Sequence, residues 1–234
     1  VYFLAEMLAT RGQVLVGKTA VISGSGNVAT HAAEKIVQLG GKVVTLSDSG
    51  GFVHDPAGFD QEKIDWVKTH KTHRRGRIEE YCDAFKGATF HAGKTPWSVP
   101  CDVALPCATQ NELLGEDART LVANGCQAVS EGANMPTDLE GVHVFKAAKL
   151  LYAPGKASNA GGVAVSGLEM SQNSERRAWK EAELQQMLKD IMSGIHATCQ
   201  RWGDQGGGYT DYVKGANIGG FKKVADAMLA FGVV

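Results

Sequence analysis

Residues whose types and spacing could do chemistry gather first between Thr19 and Ala29. The apolar run Thr19-Ala20-Val21-Ile22 leads into Gly24-Ser25-Gly26-Asn27-Val28-Ala29, and a helix-forming stretch, His31 to Leu39, comes at once after it. A glycine turn between strand and helix is a way to hold a diphosphate. Gly24 makes the tight turn, Gly26 lets backbone approach phosphate, and small Ala29 lets the helix pack on the strand. The unpaired amides that open the helix around Ser25, Asn27 and Val28, with the positive end of its dipole, then face the anion. In a chain with 29 glycines the pattern alone carries little weight; the strand–turn–helix frame gives it meaning.

Asp48 ends the next apolar run, roughly 20 residues past the glycines, where an acid ordinarily holds the adenosine ribose 2′-hydroxyl and selects NAD. Against it stands His70-Lys71-Thr72-His73-Arg74-Arg75-Gly76-Arg77, the densest basic run in the chain, whose plainer reading is a solvated loop beside helix ends. A 2′-phosphate carries about two negative charges. Each cation at about 4 Å attracts one such charge by roughly 4 kcal/mol at an effective dielectric of about 20, before desolvation. Two or three cations outweigh one carboxylate, above all if Asp48 turns away and Ser47 presents its hydroxyl. The expected coenzyme is NADP, with NAD the weaker candidate.

Two polar stretches, Cys107-Ala108-Thr109-Gln110-Asn111-Glu112 and Glu131-Gly132-Ala133-Asn134-Met135-Pro136, each come directly after a strand. Thr109, Asn111 and Asn134 suit ribose hydroxyls and an amide, and equally suit helix caps and Asx-turns. Pro154 to Val163 is a second glycine-rich loop entering a helix, with Ser166 in the first turns of that helix. An anionic substrate group is favoured there, while the alternative is an ordinary packing hydroxyl. The scattered histidines show neither triad nor metal spacing.

These residues need a scaffold. Lys42 to Ser47, Val103 to Pro106, Ala128-Val129 and Leu150 to Tyr152 read as further buried strands. Ser49-Gly50-Gly51 and Asp55-Pro56-Ala57-Gly58 are expected to break the chain into loop. Asp60 is placed to cap a helix reaching about His70, Arg77 to Phe85 reads as a short helix, and Glu116 to Asn124 and the stretch from Thr137 also read as helices. Strands alternating with helices predict an α/β fold with a doubly wound, mostly parallel Rossmann-like sheet. Beyond it lie C-terminal helices: Gly161 to about Trp202 in helical spacing, a Gly206-Gly207-Gly208 break, and an amphipathic helix through Phe221, Val224, Met228 and Leu229.

Composition bounds the partners. A formal net charge of −1 over 234 residues supplies no basic field, which argues against nucleic acid. No apolar run approaches the roughly 18 residues of a membrane span, and no signal-peptide pattern opens the chain. Five cysteines without a Cys-x-x-Cys pair predict reduced thiols in a cytoplasm, with no disulfide framework and no metal site.

On four stretches the chain resembles the coenzyme domain of the hexameric glutamate dehydrogenases, the NADP-dependent kind above all. These are Ser23 to Ala29, Ala104 to Leu113, Glu131 to Thr137, and Asn159 to Val163 continuing to Met170. The resemblance runs over nearly the whole chain. It implies reversible deamination of L-glutamate to 2-oxoglutarate and ammonium. It places Asn27 on the coenzyme beside the glycine turn, and Ser47, Lys71 and Arg74 where NADP-type members hold the 2′-phosphate. Ala108 and Thr109 fall along the adenosine side, Asn134 and Asn159 toward the nicotinamide end. Val163 and Ser166 match the part of the pocket receiving the glutamate side chain and its distal carboxylate.

In that family the catalytic lysine, the proton-shuttling acid and the lysines gripping the substrate come from a preceding substrate domain. Residues 1–12 are therefore expected to be the tail of a helix leaving such a domain, 13–202 a dinucleotide-binding domain with a long helix, and 203–234 a C-terminal helical segment. The segment alone is expected to bind coenzyme and turn over little, and the intact enzyme to be a homo-oligomer, hexameric as in the family. Two other readings stand beside this one. A leucine- or phenylalanine-type dehydrogenase fits the same frame, although an apolar substrate needs no Ser166 hydroxyl. A nucleotide-binding module without catalysis is the other.

Overall fold

The apolar runs become strands of a single seven-stranded sheet in a computed structural model that describes residues 1–232. Helix α1 (Tyr2–Ala9) precedes β1 (Thr19–Ile22), α2 (Asn27–Gln38) and β2 (Lys42–Asp48). Then come β3 (Gly51–Phe59), α3 (Gln61–Thr72), the short α4 (Tyr81–Ala84) and β4 (Thr89–Ala92). The second half of the sheet is β5 (Val103–Leu105), α5 (Gly115–Ala123), β6 (Ala128–Ser130), α6 (Leu139–Ala147) and β7 (Leu151–Ala153). Helices α7 (Gly155–Ser158), α8 (Ala160–Glu175), α9 (Glu181–Gly203) and α10 (Tyr212–Phe231) complete the chain order. Val233 and Val234, the last residues of the expected 203–234 segment, lie outside the described residues.

The strand order is β4-β3-β2-β1-β5-β6-β7. Strands β2, β1, β5, β6 and β7 are mutually parallel, whereas β3 runs antiparallel to β2 and β4 antiparallel to β3. Winding reverses between β1 and β5, so a crevice opens at their carboxyl ends, where ligands seat in such sheets.

Two expectations about elements are corrected. Gly51 and Asp55-Pro56-Ala57-Gly58 are not loop but part of β3, whose Phe52, Val53 and Phe59 are buried. The pairing of β2 with β3 shifts between Val43 and Thr45, and Pro56 and Ala57 are exposed, so the proline sits where the ladder is already irregular. Gly51, at φ +146, leaves room for the backbone of His91 on β4, which a β-carbon would strike. The helical stretch from Gly161 is two helices, ended and restarted after Arg176, which takes a left-handed φ of +52.

Helices cover both faces. Phe3, Leu4, Met7 and Leu8 of α1 are fully buried and join Ala29, Ala33 and Ile36 of α2, with Met192 and Tyr212, in one core. Val21, Ala104, Val129, Phe145 and Tyr152 build the other. All five cysteines are free thiols, four of them buried. Among the described residues no helix is long and apolar enough to cross a membrane. Phe221, Val224, Met228 and Leu229 of α10 are exposed.

Candidate coenzyme site

The turn after β1 is tied to both neighbouring strands. Gly24, at φ +85, donates its amide to Ser47 Oγ at 2.6 Å, and its carbonyl accepts from the Ser47 amide at 3.0 Å. Across the switch point, Ser23 Oγ accepts from the Cys107 amide at 2.9 Å. A β-carbon on Gly24 would lie 2.9 Å from the Cys107 carbonyl oxygen, so the turn has no room for a side chain. Gly26 differs: it has an ordinary negative φ, and a β-carbon there would meet nothing within 4 Å. Its missing side chain leaves open space in front of α2. Gly26 is the helix N-cap and gives no side-chain cap, so the first amides of α2 point into that space. Ala29 is fully buried, as close helix–strand packing requires.

The two polar loops brace each other at the mouths of β5 and β6. The Asn111 amide donates to the Met135 carbonyl at 3.0 Å, with both residues at left-handed φ. The amides of Gly132 and Ala133 donate to the Pro106 carbonyl. This leaves Ala108, Thr109 and Asn134 exposed on the rim. Glu112 accepts from the Ala108 amide at 2.8 Å; burial pushes its carboxyl above the ordinary value, against the pull of the Ala108 and Thr109 amides.

Behind the loops, Glu131 is 3% exposed and receives the Tyr152 hydroxyl and the Gly155 amide, each at 2.5 Å. Its carbonyl accepts from Ser158 Oγ at 2.6 Å. Glu131 thus ties α7 to β7 and fixes Asn159, whose side-chain amide donates to the Gly132 carbonyl. The result is a cleft of about 730 Å³ lined by Asn27, Val28, Cys107, Gly132, Ser158 and Asn159 among others. Burial pushes the Cys107 thiol up to about 12, so it faces this cleft uncharged.

The basic run closes on the end of β2. Asp48 accepts from the Gly50 amide at 2.9 Å, the Ile78 amide at 2.9 Å and Lys71 Nζ at 3.0 Å. Burial pulls its carboxyl upward, but these donors outweigh burial and hold it below the ordinary carboxylate value. The carboxylate is therefore turned into the loop. Lys71 also donates to the Gly76 carbonyl at 3.0 Å, Arg77 donates to Ser49 Oγ at 2.8 Å, and Arg74 is exposed.

Of the residues singled out in the sequence, Gly24 and Ser47 are bonded together and Gly26, Ser25, Asn27 and Val28 form the adjoining helix start. Asn27, Val28 and Asn159 line one cleft. Lys71 sits on the segment packed against the end of β2, and Ala108, Thr109 and Asn134 stand on the facing rim. Val163 and Ser166 lie exposed on α8, Val163 directly after the Gly161 and Gly162 that border the cleft and Ser166 about one turn further on. Sequence reasoning gave no role to Glu112, Glu131 or His70; the available signal was a charged or titratable group beside a strand mouth or a helix end, and burial is what gives it meaning.

Residues 1–232 match the family model described as glutamate/leucine/phenylalanine/valine dehydrogenase. A glutamate dehydrogenase of Bacteroides thetaiotaomicron is 57% identical over 234 residues, covering all of this chain and 52% of that protein. An NAD(P)-specific glutamate dehydrogenase of Xylanibacter ruminicola is 54% identical over 233 residues, again covering 52% of its length. The solved structure of Plasmodium falciparum glutamate dehydrogenase superposes with a TM-score of 0.95 at 42% identity, over all of this chain and 50% of that one. The chain spans about half the length of the relatives it matches. With that match running from Val1 to Gly232 over a Rossmann-like sheet, the chain belongs to the glutamate/leucine/phenylalanine/valine dehydrogenase family.

Proposed function

We propose that this chain is the coenzyme-binding part of a glutamate dehydrogenase that reversibly deaminates L-glutamate to 2-oxoglutarate and ammonium with NADP(H). The observation that carries this reading is the uncapped start of α2 opening onto the cleft that Asn159 borders. One dinucleotide could lay its diphosphate on the Gly24–Val28 turn and extend its two ends to either side. The residues fit the coenzyme: Gly26 leaves a space that a side chain would fill in front of the uncapped amides of α2, and Lys71, beside the end of β2, supplies a cation suited to a phosphate. Bound NADP supplies the hydride acceptor. The chain's own groups bind and orient it, with Asn134 and Asn159 toward the nicotinamide and Ala108 and Thr109 along the adenosine.

Ser47, Lys71 and Arg74 form the 2′-phosphate clamp in this reading. Asp48 is engaged by two amides and Lys71, so it supports the clamp rather than competing for the ribose. NAD is the weaker coenzyme. Val163 and Ser166 face the substrate side chain and its distal carboxylate. No residue of this chain is assigned the chemical step; the proton-transferring lysine and acid belong to a substrate domain. The division into 1–12, 13–202 and 203–234 stands as part of the proposal, with α1 packed into the coenzyme domain's core. A cytoplasmic homo-hexamer completes it, supported by five free thiols and the family.

Calorimetric titration of NADPH and NADH, with assays of the intact protein on L-glutamate and L-leucine, tests the reading. NADPH is expected to bind more tightly, Lys71→Ala with Arg74→Ala to weaken NADPH selectively, and glutamate to be the preferred substrate. Equal loss for both coenzymes removes the clamp. Leucine oxidised as readily as glutamate removes the substrate assignment.

A further inference from the structure

We propose that His70 is a positioning residue for coenzyme choice: it holds the turn 73–77 in the shape that presents Lys71 and Arg74 to a 2′-phosphate. This role rests on the clamp of Ser47, Lys71 and Arg74. His70 lies near the end of α3, 4% exposed, with its ring stacked on Trp66 at 4.4 Å and 13°. Its Nε2 is 3.2 Å from the Arg77 carbonyl oxygen and 3.4 Å from Glu80 Oε1. Both of these atoms accept, so Nε2 carries the proton and donates. Nδ1 is buried and has no hydrogen-bond partner among the described residues. Packing on Trp66 would be served as well by a phenyl ring, which leaves no buried nitrogen unpaired. What the imidazole adds is its bond to the turn.

At its far end the turn is fastened by Glu80, whose Oε1 accepts from the Arg77 amide at 2.9 Å and whose own amide donates to the Arg77 carbonyl at 3.3 Å; His70 holds that same carbonyl from the α3 side. Arg75 takes a left-handed φ of +51, which a side-chain-bearing residue adopts only when its surroundings impose it. The Gly76 amide donates to the His70 carbonyl at 3.1 Å, and Gly76 packs so closely on the imidazole that a β-carbon would overlap it. Lys71 Nζ holds the Gly76 carbonyl while His70 Nε2 holds the Arg77 carbonyl. Consecutive helix residues thus grip consecutive carbonyls of the turn. The charged groups around the ring are Glu80 beside Nε2, Lys71 on the same helix, and Arg74 and Arg77 of the turn, with Asp48 behind Lys71. The next atoms along the chain, Ile78 N and the Arg77 guanidinium, dock on Asp48 and Ser49 at the end of β2, beside Ser47.

Two substitutions separate the bond from the packing. His70→Phe keeps a ring on Trp66 and removes the donor, and His70→Gln restores a donor of similar reach. Direct binding of NADPH and NADH, with thermal melting of the same samples, reads the result. His70→Phe is expected to weaken NADPH about three- to tenfold, as befits loss of one buried hydrogen bond, with NADH held within about twofold. His70→Gln should recover most of the preference. Gly76→Ala, which pushes the turn off the ring from the other side, should give the same selective loss should His70→Phe not fold. A preference for NADPH that survives these changes, a loss shared by both coenzymes, or a failure of His70→Gln to rescue overturns the role of His70 and leaves the clamp standing. A wild-type protein with no preference for NADPH removes the clamp and this inference together.

Discussion

Gly24 and Gly26 stand two residues apart in one turn and lack side chains for opposite reasons. Gly24 has a left-handed backbone and the Cys107 carbonyl against it, so substitution is a folding defect. Gly26 has an ordinary backbone and open space, so the proposed constraint is the ligand alone. Gly24→Ala is expected to destabilise the protein by about 1–3 kcal/mol in urea unfolding, through strain and overpacking. Gly26→Ala should leave the unfolding midpoint unchanged and weaken both NADPH and NADH at least about tenfold, which calorimetry reads directly. The glycine pattern was recognisable in the sequence, but this division of labour was not, since it depends on a carbonyl contributed by Cys107 far along the chain. His70 and Glu131 are similar cases. Nothing local announces that either is buried, and a buried imidazole means something different from a solvated one.

Among elements, the antiparallel pair β3 and β4 is what sequence reasoning missed. Gly51, Pro56 and Gly58 ordinarily interrupt strands. They are admitted here by an irregular register with β2 and by β4, a partner that starts only at Thr89, beyond two intervening helices. Strands β1, β2, β5, β6 and β7 were readable because each is a short apolar run whose burial needs no unusual neighbour. The β3 strand is pinned to α3 and α4 by Asp55, which accepts from Lys63 Nζ and the Tyr81 hydroxyl, each at 2.7 Å, and from the Ala57 amide. Burial raises the Asp55 carboxyl, yet these donors together hold it below the ordinary value. A carboxyl depressed in the folded state stabilises above its unfolded pKa of about 4, and that contribution fades as pH falls through the lower folded value. Asp55→Ala leaves the largely buried Lys63 ammonium with the Gly58 carbonyl but no carboxylate, and is expected to destabilise by about 3 kcal/mol near neutral pH, with a flatter acid limb in urea melts taken from about pH 7 down to pH 3.

For the molecule as a whole, a net charge of −1 means that no general field draws an anionic coenzyme in. In the proposed reading, what distinguishes NADPH from NADH is local to the segment between Ser47 and Arg77. Screening acts on such partly exposed charges over a Debye length of about 10 Å at 0.1 M salt. Raising salt from about 0.05 to 0.5 M should weaken NADPH binding several-fold while NADH changes less, so the two affinities converge; titrations across that range would show it. Parallel salt dependence for both would place the discrimination elsewhere.

The groups proposed to read the adenosine 2′-position come from residues 47–77, carried by β2, α3 and the turn between α3 and α4, while those proposed to face the substrate, Val163 and Ser166, sit on α8, which follows the last strand on the far side of the switch point. No strand is shared by the two groups. Heritable change in one can accumulate without disturbing the other, so a lineage could exchange its electron carrier through a handful of codons in a single short stretch and still consume the same metabolite.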